Sequence, residues 1–277
     1  MQPCCSRLQA APWESNGIYV LAENIENGRT QKGTIIGNSL NNILEAKYSP
    51  NAVLDGGAGA DIMRVSGPGN NSGSVTYVVD NVGDQVVTSS QLGDQTDNLL
   101  DHVKSSIDFT LGSRFEYLTL IGIGNINGTG NTLGNMLTGN SGNNLLNGGA
   151  GDDTIIGGAG TDSLTGSTGA NVFGFNFVSD STVGAGRDII TDFNVAQLNK
   201  IDLSGIDAIA STSASNEAFS YIGIGAFSNV AGQLRFSAGI VSGDVNGDSI
   251  SDFEIQLTGN HFDGGSFYSV KIIAKQN

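Results

Sequence analysis

Between Gly130 and Gly174 the apolar positions recur neither every second residue nor at helical spacing, but every nine: GNTLGNMLT, GNSGNNLLN, GGAGDDTII, GGAGTDSLT, GSTGANVFG. Glycine opens each unit (Gly130, Gly139, Gly148, Gly157, Gly166). Asn or Asp stands sixth (Asn135, Asn144, Asp153, Asp162, Asn171), and an apolar residue stands eighth (Leu137, Leu146, Ile155, Leu164, Phe173). Six positions rich in Gly and Asn predict a tight turn, because Gly reaches positive φ without steric cost and Asn tolerates it. The three positions around the apolar residue predict a short strand whose middle side chain faces inward. Two units then close one coil, and residues eighteen apart stack on the same side. The pattern predicts an all-β chain, a parallel β-roll of glycine-rich nonapeptide repeats.

Stacking brings polar chemistry together. Turns eighteen residues apart face each other across a gap lined with backbone carbonyls and acidic or amide side chains, an oxygen cage suited to a hard cation of calcium's size. The candidate ligands are the side chains of Asn144, Asp153, Asp162 and Asn171, with Gly142, Gly148, Gly149, Gly151, Gly157, Gly158, Gly160 and Gly166 supplying turn backbone. The spacing pairs Asn135 with Asp153, Asp153 with Asn171, and Asn144 with Asp162. Each pair offers one carboxylate and one amide, so weaker calcium binding is expected than from an all-Asp roll. The Asn column has a second reading, an amide ladder that stacks without metal.

The pattern divides the chain into a segment 1–32, a first roll block 33–75, a β spacer 76–129, the second block 130–175 and a C-terminal β module 176–277. GNSLNNILE (37–45) and GGAGADIMR (56–64) repeat units of the second block at offsets of 93 and 92 residues, and YVLAENIEN (19–27) resembles FTLGSRFEY (109–117) at offset 90. These offsets indicate an internal duplication. AKYSPNAVLD separates the first two units, leaving Asn42 and Asp61 nineteen apart, so a site at Gly57, Gly59 and Asp61 requires the extra residue to bulge outward. In the spacer, Asp80, Asp84, Asp94, Asp97 and Asp101 read as solvated turn acids. After Phe173 the strands lengthen and are expected to cap the open end of the roll. Asp180 and Asp188 follow the last turn closely, and Asp188 is a candidate ligand of a final cage. Asp244, Asn246, Asp248 and Asp252 sit at EF-hand-like positions, but Ser249 stands where that loop needs Gly and Ile255 where it needs Glu. An Asn-Gly hairpin turn is preferred there.

Composition narrows the function classes. A net charge of -15 with only 12 Lys plus Arg and no basic run disfavours nucleic-acid and anionic-membrane partners. The 41 glycines are about twice the usual share, yet the regular aliphatic spacing argues against disorder. No apolar stretch approaches the ~18 residues of a membrane span, and the first seventeen residues lack the apolar core of a cleavable secretory signal. Cys4 and Cys5 match no zinc spacing. There is no nucleophile elbow and no phosphate loop. His102 (HVKSS) and His261 (HFDGG) stand outside any HExxH, so no enzymatic activity is expected.

Residues 33–64 and 130–174 resemble the haemolysin-type repeats of the RTX (repeats-in-toxin) family. GAGRDIITDFNVAQLNKIDLSGIDA and GDVNGDSISDFEIQLTG are similar to the C-terminal domain of serralysin-type metalloproteases. The resemblance implies a β-roll with a C-terminal β-sandwich-like capping module, several bound Ca2+ ions, calcium-dependent folding outside the cell, and export by type I secretion machinery of a bacterium. It carries the calcium-ligand roles of the turn onto Gly149, Gly151, Asp153, Gly158, Gly160 and Asp162. The basic terminus GSFYSVKIIAKQN, with Lys271 and Lys275, departs from the acidic-apolar ending usual in that family. The function expected is therefore a noncatalytic calcium-binding module of a secreted, extracellular RTX-type protein. The alternatives are a carbohydrate-binding or adhesin module with a polysaccharide or cell-surface partner, or the C-terminal remnant of a secreted metalloprotease or other exported hydrolase.

Overall fold

The computed structural model describes residues 8–10, 17–31, 33–47, 51–66, 74–87, 100–209, 217–259 and 271–273. Cys4, Cys5, Asp94, Asp97, His261 and Lys275 lie outside the described residues. The described chain is all-β, with only short 3-10 turns between strands of two to five residues. It forms two compact units, residues 1–107 with 114–119, and residues 108–113 with 120–277.

In the first unit, β1 (Leu8–Ala10), β3 (Asn27–Thr30), β5 (Ile43–Lys47), β7 (Ile62–Ser66) and β9 (Gln85–Val87) form one parallel sheet, in the order β1-β3-β5-β7-β9. A second ladder runs through β2 (Ile18–Val20), β4 (Thr34–Ile36), β6 (Val53–Asp55), β8 (Thr76–Val79), β10 (His102–Ser105) and β12 (Tyr117–Leu120). Successive strands alternate between the two ladders, so each coil contributes one strand to each. The inward residues Leu44, Leu54, Met63, Tyr77 and Val103 have no exposed surface. Tyr77 meets Phe115 edge to face, with ring centroids 5.6 Å apart.

Coil length here is uneven. Leu54 pairs with Ile35 nineteen residues away and with Tyr77 twenty-three away. The extra residue of the 37–64 block is absorbed between β5 and β6, where Asn51 takes positive φ (62°), and the strands on either side keep their pairing.

In the second unit, β14 (Met136–Thr138), β16 (Thr154–Ile156), β18 (Val172–Gly174), β20 (Lys200–Asp202) and β25 (Lys271–Ile273) form a parallel ladder. The other sheet runs β11 (Phe109–Thr110), β13 (Gly128–Thr129), β15 (Leu145–Asn147), β17 (Ser163–Thr165), β19 (Asp188–Ile190), β24 (Phe253–Leu257), β23 (Ile240–Asp244), β22 (Gln233–Ser237), β21 (Ser220–Tyr221). The eighteen-residue stack predicted from the repeats is the observed register: Leu137 lies opposite Ile155, Ile155 opposite Phe173, and Leu146 opposite Leu164. All five eighth-position side chains are at most 1% exposed. Beyond the repeats the same ladders continue with longer connections, Leu164 to Ile190 and Phe173 to Ile201.

The C-terminal segment adds one strand to each open ladder, β24 parallel to β19 and β25 parallel to β20. The antiparallel strands β22 and β23 then extend the first of these sheets. β22 and β23 are joined by Ala238 and Gly239, both at positive φ (53° and 78°), which matches a two-residue turn of the right twist for a hairpin. β23 and β24 are antiparallel across residues 245–252, so the acidic loop there is a hairpin connection. Among the described residues no helix is long and apolar enough to cross a membrane.

Candidate metal centre

A ladder of side-chain-to-backbone hydrogen bonds runs along the turns. The sixth-position N–H of one turn donates to the side-chain oxygen of the equivalent residue one coil later: Asn135 N–H to Asp153 Oδ1 (2.7 Å), Asn144 to Asp162 (2.7 Å) and Asp153 to Asn171 (2.9 Å). The ladder continues past the repeats, from Asp162 N–H to Asp188 Oδ1 (2.8 Å) and from Asn171 N–H to Asn199 Oδ1 (3.0 Å). The first unit builds the same ladder from Asn42 N–H to Asp61 Oδ1 (2.6 Å) and from Asp61 N–H to Asp84 Oδ1 (2.9 Å). There Asp101 N–H also donates to Glu116 Oε2 (2.9 Å). Asn42, Asp61, Asn135, Asn144, Asp153, Asp162, Asn171, Asp188 and Asn199 are all buried.

One backbone N–H takes one side-chain oxygen, from the preceding coil for the Asp residues and from the same turn for Asn42 and Asn144, and what remains differs between Asn and Asp. An amide keeps an N–H2 that can donate to carbonyls. Asn144 Nδ2 donates to the Ile126 carbonyl (2.6 Å) and to Asn140 Oδ1 (3.0 Å), and Asn140 Nδ2 donates to the Gly124 carbonyl (2.9 Å). Asn42 Nδ2 donates to the carbonyls of Ile25 (3.2 Å) and Glu26 (3.4 Å), and Asn38 Nδ2 to those of Ala22 (2.7 Å) and Ile25 (2.8 Å). Asn131 Nδ2 reaches the Gly112 carbonyl (2.7 Å). The Asn-type turns are thus tied to the preceding coil by amide-to-carbonyl bonds.

A carboxylate has no proton to give. Asp61, Asp153, Asp162 and Asp188 each hold a buried Oδ2 with no hydrogen-bond partner, and none is paired with a lysine or arginine among the described residues. A buried anion without a counter-charge is costly, and burial is the main reason the acids are pushed up from the ordinary 3.8, Asp61 and Asp153 to about 6, Asp162 to about 7 and Asp188 to about 8. Their ladder hydrogen bonds oppose that rise. For Asp188 the neighbouring charges of Asp162 and Asp180 add to it.

The glycines leave room for this arrangement. A Cβ on Gly148 would run into the Asp153 carboxylate of its own turn, and one on Gly157 or Gly56 would meet Asp162 or Asp61 in the same way. Gly151 combines positive φ (110°) with an approach of 2.5 Å between its would-be Cβ and the Leu133 carbonyl one coil away. The turns therefore stack backbone on backbone, carbonyls included.

These features fit a divalent hard cation: buried anionic oxygen lacking a donor, a carbonyl-rich backbone, and no competing cationic side chain. Among the described residues no three His, Cys, Asp or Glu side chains converge, so most ligands of such an ion must be backbone carbonyls. Gly142, Gly149, Gly158, Gly160 and Gly166 lie in the same stacked turns, and Gly57 and Gly59 precede Asp61 in its own turn.

Sequence reading missed Asp84, Asp101, Glu116 and Asn199 as rungs of the ladder. A signal for them exists. Each stands two residues before an inward or near-inward apolar residue (Val86, Val103, Leu118, Ile201), as Asp153 stands before Ile155. His102 is half-buried on β10, bonded through Nε2 to Thr119 Oγ1 (2.8 Å), and belongs to no cluster of this kind.

No curated protein matches the chain. Residues 129–173 match the family model of the RTX calcium-binding nonapeptide repeat, in four copies, and this segment carries Asn135, Asn144, Asp153, Asp162 and Asn171. The 129–173 segment is an array of RTX calcium-binding repeats on a parallel β-roll.

Proposed function

We propose that the chain is a noncatalytic, secreted calcium-binding module whose roll is completed by the ions it binds outside a bacterial cell. The observation that carries this reading is the set of four buried Asp Oδ2 atoms without donor or counter-ion. Asp153 and Asp162 lie inside the matched repeats, Asp61 and Asp188 outside them. Ions at these positions would use the Asp oxygens with the carbonyls of Gly142, Gly148, Gly149, Gly151, Gly157, Gly158, Gly160 and Gly166, and of Gly57 and Gly59 in the first block. Asn144 and Asn171 are the weaker, amide ligands of the same cages. Calcium would supply the positive charge that these carboxylates lack.

A ligand that binds only the folded form stabilises it by mass action. Coupled to a Gly-rich chain that is costly to order, this favours a chain that is loose at cytosolic calcium and ordered at the roughly millimolar level outside, as export through type I machinery requires. The similarity of 176–277 to the serralysin C-terminal domain supports the same reading. Circular dichroism during a calcium titration, with ion counting by calorimetry, tests it: a cooperative gain of β signal reversed by chelator is expected, with fewer ions bound by Asp153→Asn. A roll fully formed in excess chelator would overturn the folding switch, and unchanged ion counts would overturn the sites.

A further inference from the structure

A groove lies over the antiparallel strands β22 to β24. Arg235, Ser242 and Glu254 stand directly opposite one another across the three strands. Phe227, Ser237 and Ser251 line the same groove, with a volume of about 470 Å³, inside the range of roughly 300–1,000 Å³ usual for small-ligand sites.

The charges in the groove are not balanced. Glu254 Oε2 is taken by Arg187 Nη2 (3.1 Å) and by the Gly184 N–H (3.1 Å), so that carboxylate is turned to Arg187. Arg235 has no carboxylate partner among the described residues, and its guanidinium carbon lies 5.5 Å from the centroid of the Phe227 ring. Its Nε is buried and makes no hydrogen bond. A guanidinium held on an aromatic face, lining a groove and without a carboxylate partner among the described residues, can take a planar oxyanion through two parallel bonds. In a chain of net charge -15 an arginine without a carboxylate partner among the described residues is a point of attachment for an anion, and the serine hydroxyls beside it suit a ligand that itself carries hydroxyls.

We propose that this groove binds a carboxylated sugar, a hexuronate or the uronate residue of an acidic glycan. Its carboxylate sits on Arg235, its ring lies toward Phe227, and its hydroxyls meet Ser237, Ser242 and Ser251. None of the residues that line the groove is a rung of the turn ladder, so the ligand and the ions do not share a contact residue.

The test is a titration of the calcium-loaded full chain with glucuronate and, separately, glucose, followed by calorimetry and by amide chemical shifts. Glucuronate binding is expected, with glucose at least about tenfold weaker because it lacks the carboxylate that the Arg235 guanidinium would pair with. Arg235→Gln should abolish glucuronate binding. Arg235→Lys, which keeps the charge and loses the fork, should weaken it by about tenfold. The calcium count of each variant is measured in the same samples, which separates loss of the groove from loss of the roll. Equal affinity for glucose, no binding of glucuronate, or full binding by a calcium-competent Arg235→Gln chain would each overturn the proposal.

Discussion

The Asp162 N–H donates to Asp188 Oδ1 at 2.8 Å across twenty-six residues. Asp188 therefore holds, at the first strand beyond the repeats, the place that a sixth-position residue holds within them. Both acids keep a buried Oδ2 without a partner, and the Asp162 charge adds to the cost, set first by burial, of ionising Asp188.

The asymmetry between Asp and Asn gives the first prediction. Asp162→Asn keeps the oxygen that accepts the Asn144 N–H and replaces the orphaned one with an amide donor. In chelator this variant should be more stable than the parent by about 1–3 kcal/mol, the range for relieving a buried unsatisfied polar group. In calcium it should gain less than the parent does. Melting curves with and without calcium check both halves. An Asp162→Asn chain that keeps the parent's full calcium increment would show that the orphaned oxygen is not a ligand.

The roll was legible in the sequence wherever the nine-residue interval is unbroken, since one period fixes turn, strand and inward residue together. Where coils lengthen, as from Leu54 to Tyr77 or from Phe173 to Ile201, the period fails and only the local motif of a polar residue two before an apolar one survives. That motif is too short to stand out without the fold. Asp188 could be found from its closeness to the last turn, whereas Asn199 could not. The amide bonds of Asn38, Asn131 and Asn140 to neighbouring coils were also beyond the pattern, because second-position Asn looks like any turn residue until its stacking partner is known. The groove at Arg235 depends on the register of β22 and β23, which no repeat encodes.

Glycine gives a second prediction, since its missing side chain leaves the space that the Asp carboxylate occupies. Gly148→Ala places a methyl group on the Asp153 carboxylate and should weaken calcium binding at least about tenfold, the consequence of displacing a buried ligand by a fraction of an ångström in a close-packed turn. At Gly124 the nearest atom to an added Cβ is 3.8 Å away and φ is not positive, so Gly124→Ala serves as the control and should bind as the parent does. Calorimetry of the two variants side by side decides. Equal losses would point to glycine flexibility as the cause, and equal retention would remove the steric argument.

Asn144 carries the third prediction. Its Nδ2 ties the 139–144 turn to the Ile126 carbonyl. Asn144→Asp removes that donor and sets a second carboxylate beside Asp162, one coil away. Without metal the variant should lose about 1–3 kcal/mol, the usual cost of leaving a buried polar group unsatisfied. With calcium it should bind more tightly, because affinity rises with charged ligands. Parallel denaturation and calcium titrations test this. A variant that loses stability in chelator with no gain in calcium affinity would mean that this turn holds an amide bridge and no ion.

The last prediction concerns pH in the metal-free state. Asp61, Asp153, Asp162 and Asp188 are pushed from 3.8 up to about 6, 6, 7 and 8 in the folded chain, chiefly by burial. The folded form thus binds protons more tightly than the unfolded form does between these values, and stability falls with pH wherever the folded state holds more protons. The contribution is fully present below about 4, where both states are protonated, and is lost progressively as pH rises through 6 to 8. In chelator, melting temperature should therefore fall as pH is raised from 5 to 8.5, where a depressed, salt-bridged carboxylate would give a flat series. Calcium replaces the protons, so with saturating calcium the same series should be flat or should rise over that range. Since protons and calcium compete for the same oxygens, calcium affinity should also weaken as pH is lowered from 8 to 5. A metal-free melting temperature that stays flat from pH 5 to 8.5 would mean that the four carboxylates already have a positive partner in the folded chain, and the need for an ion at these turns would disappear.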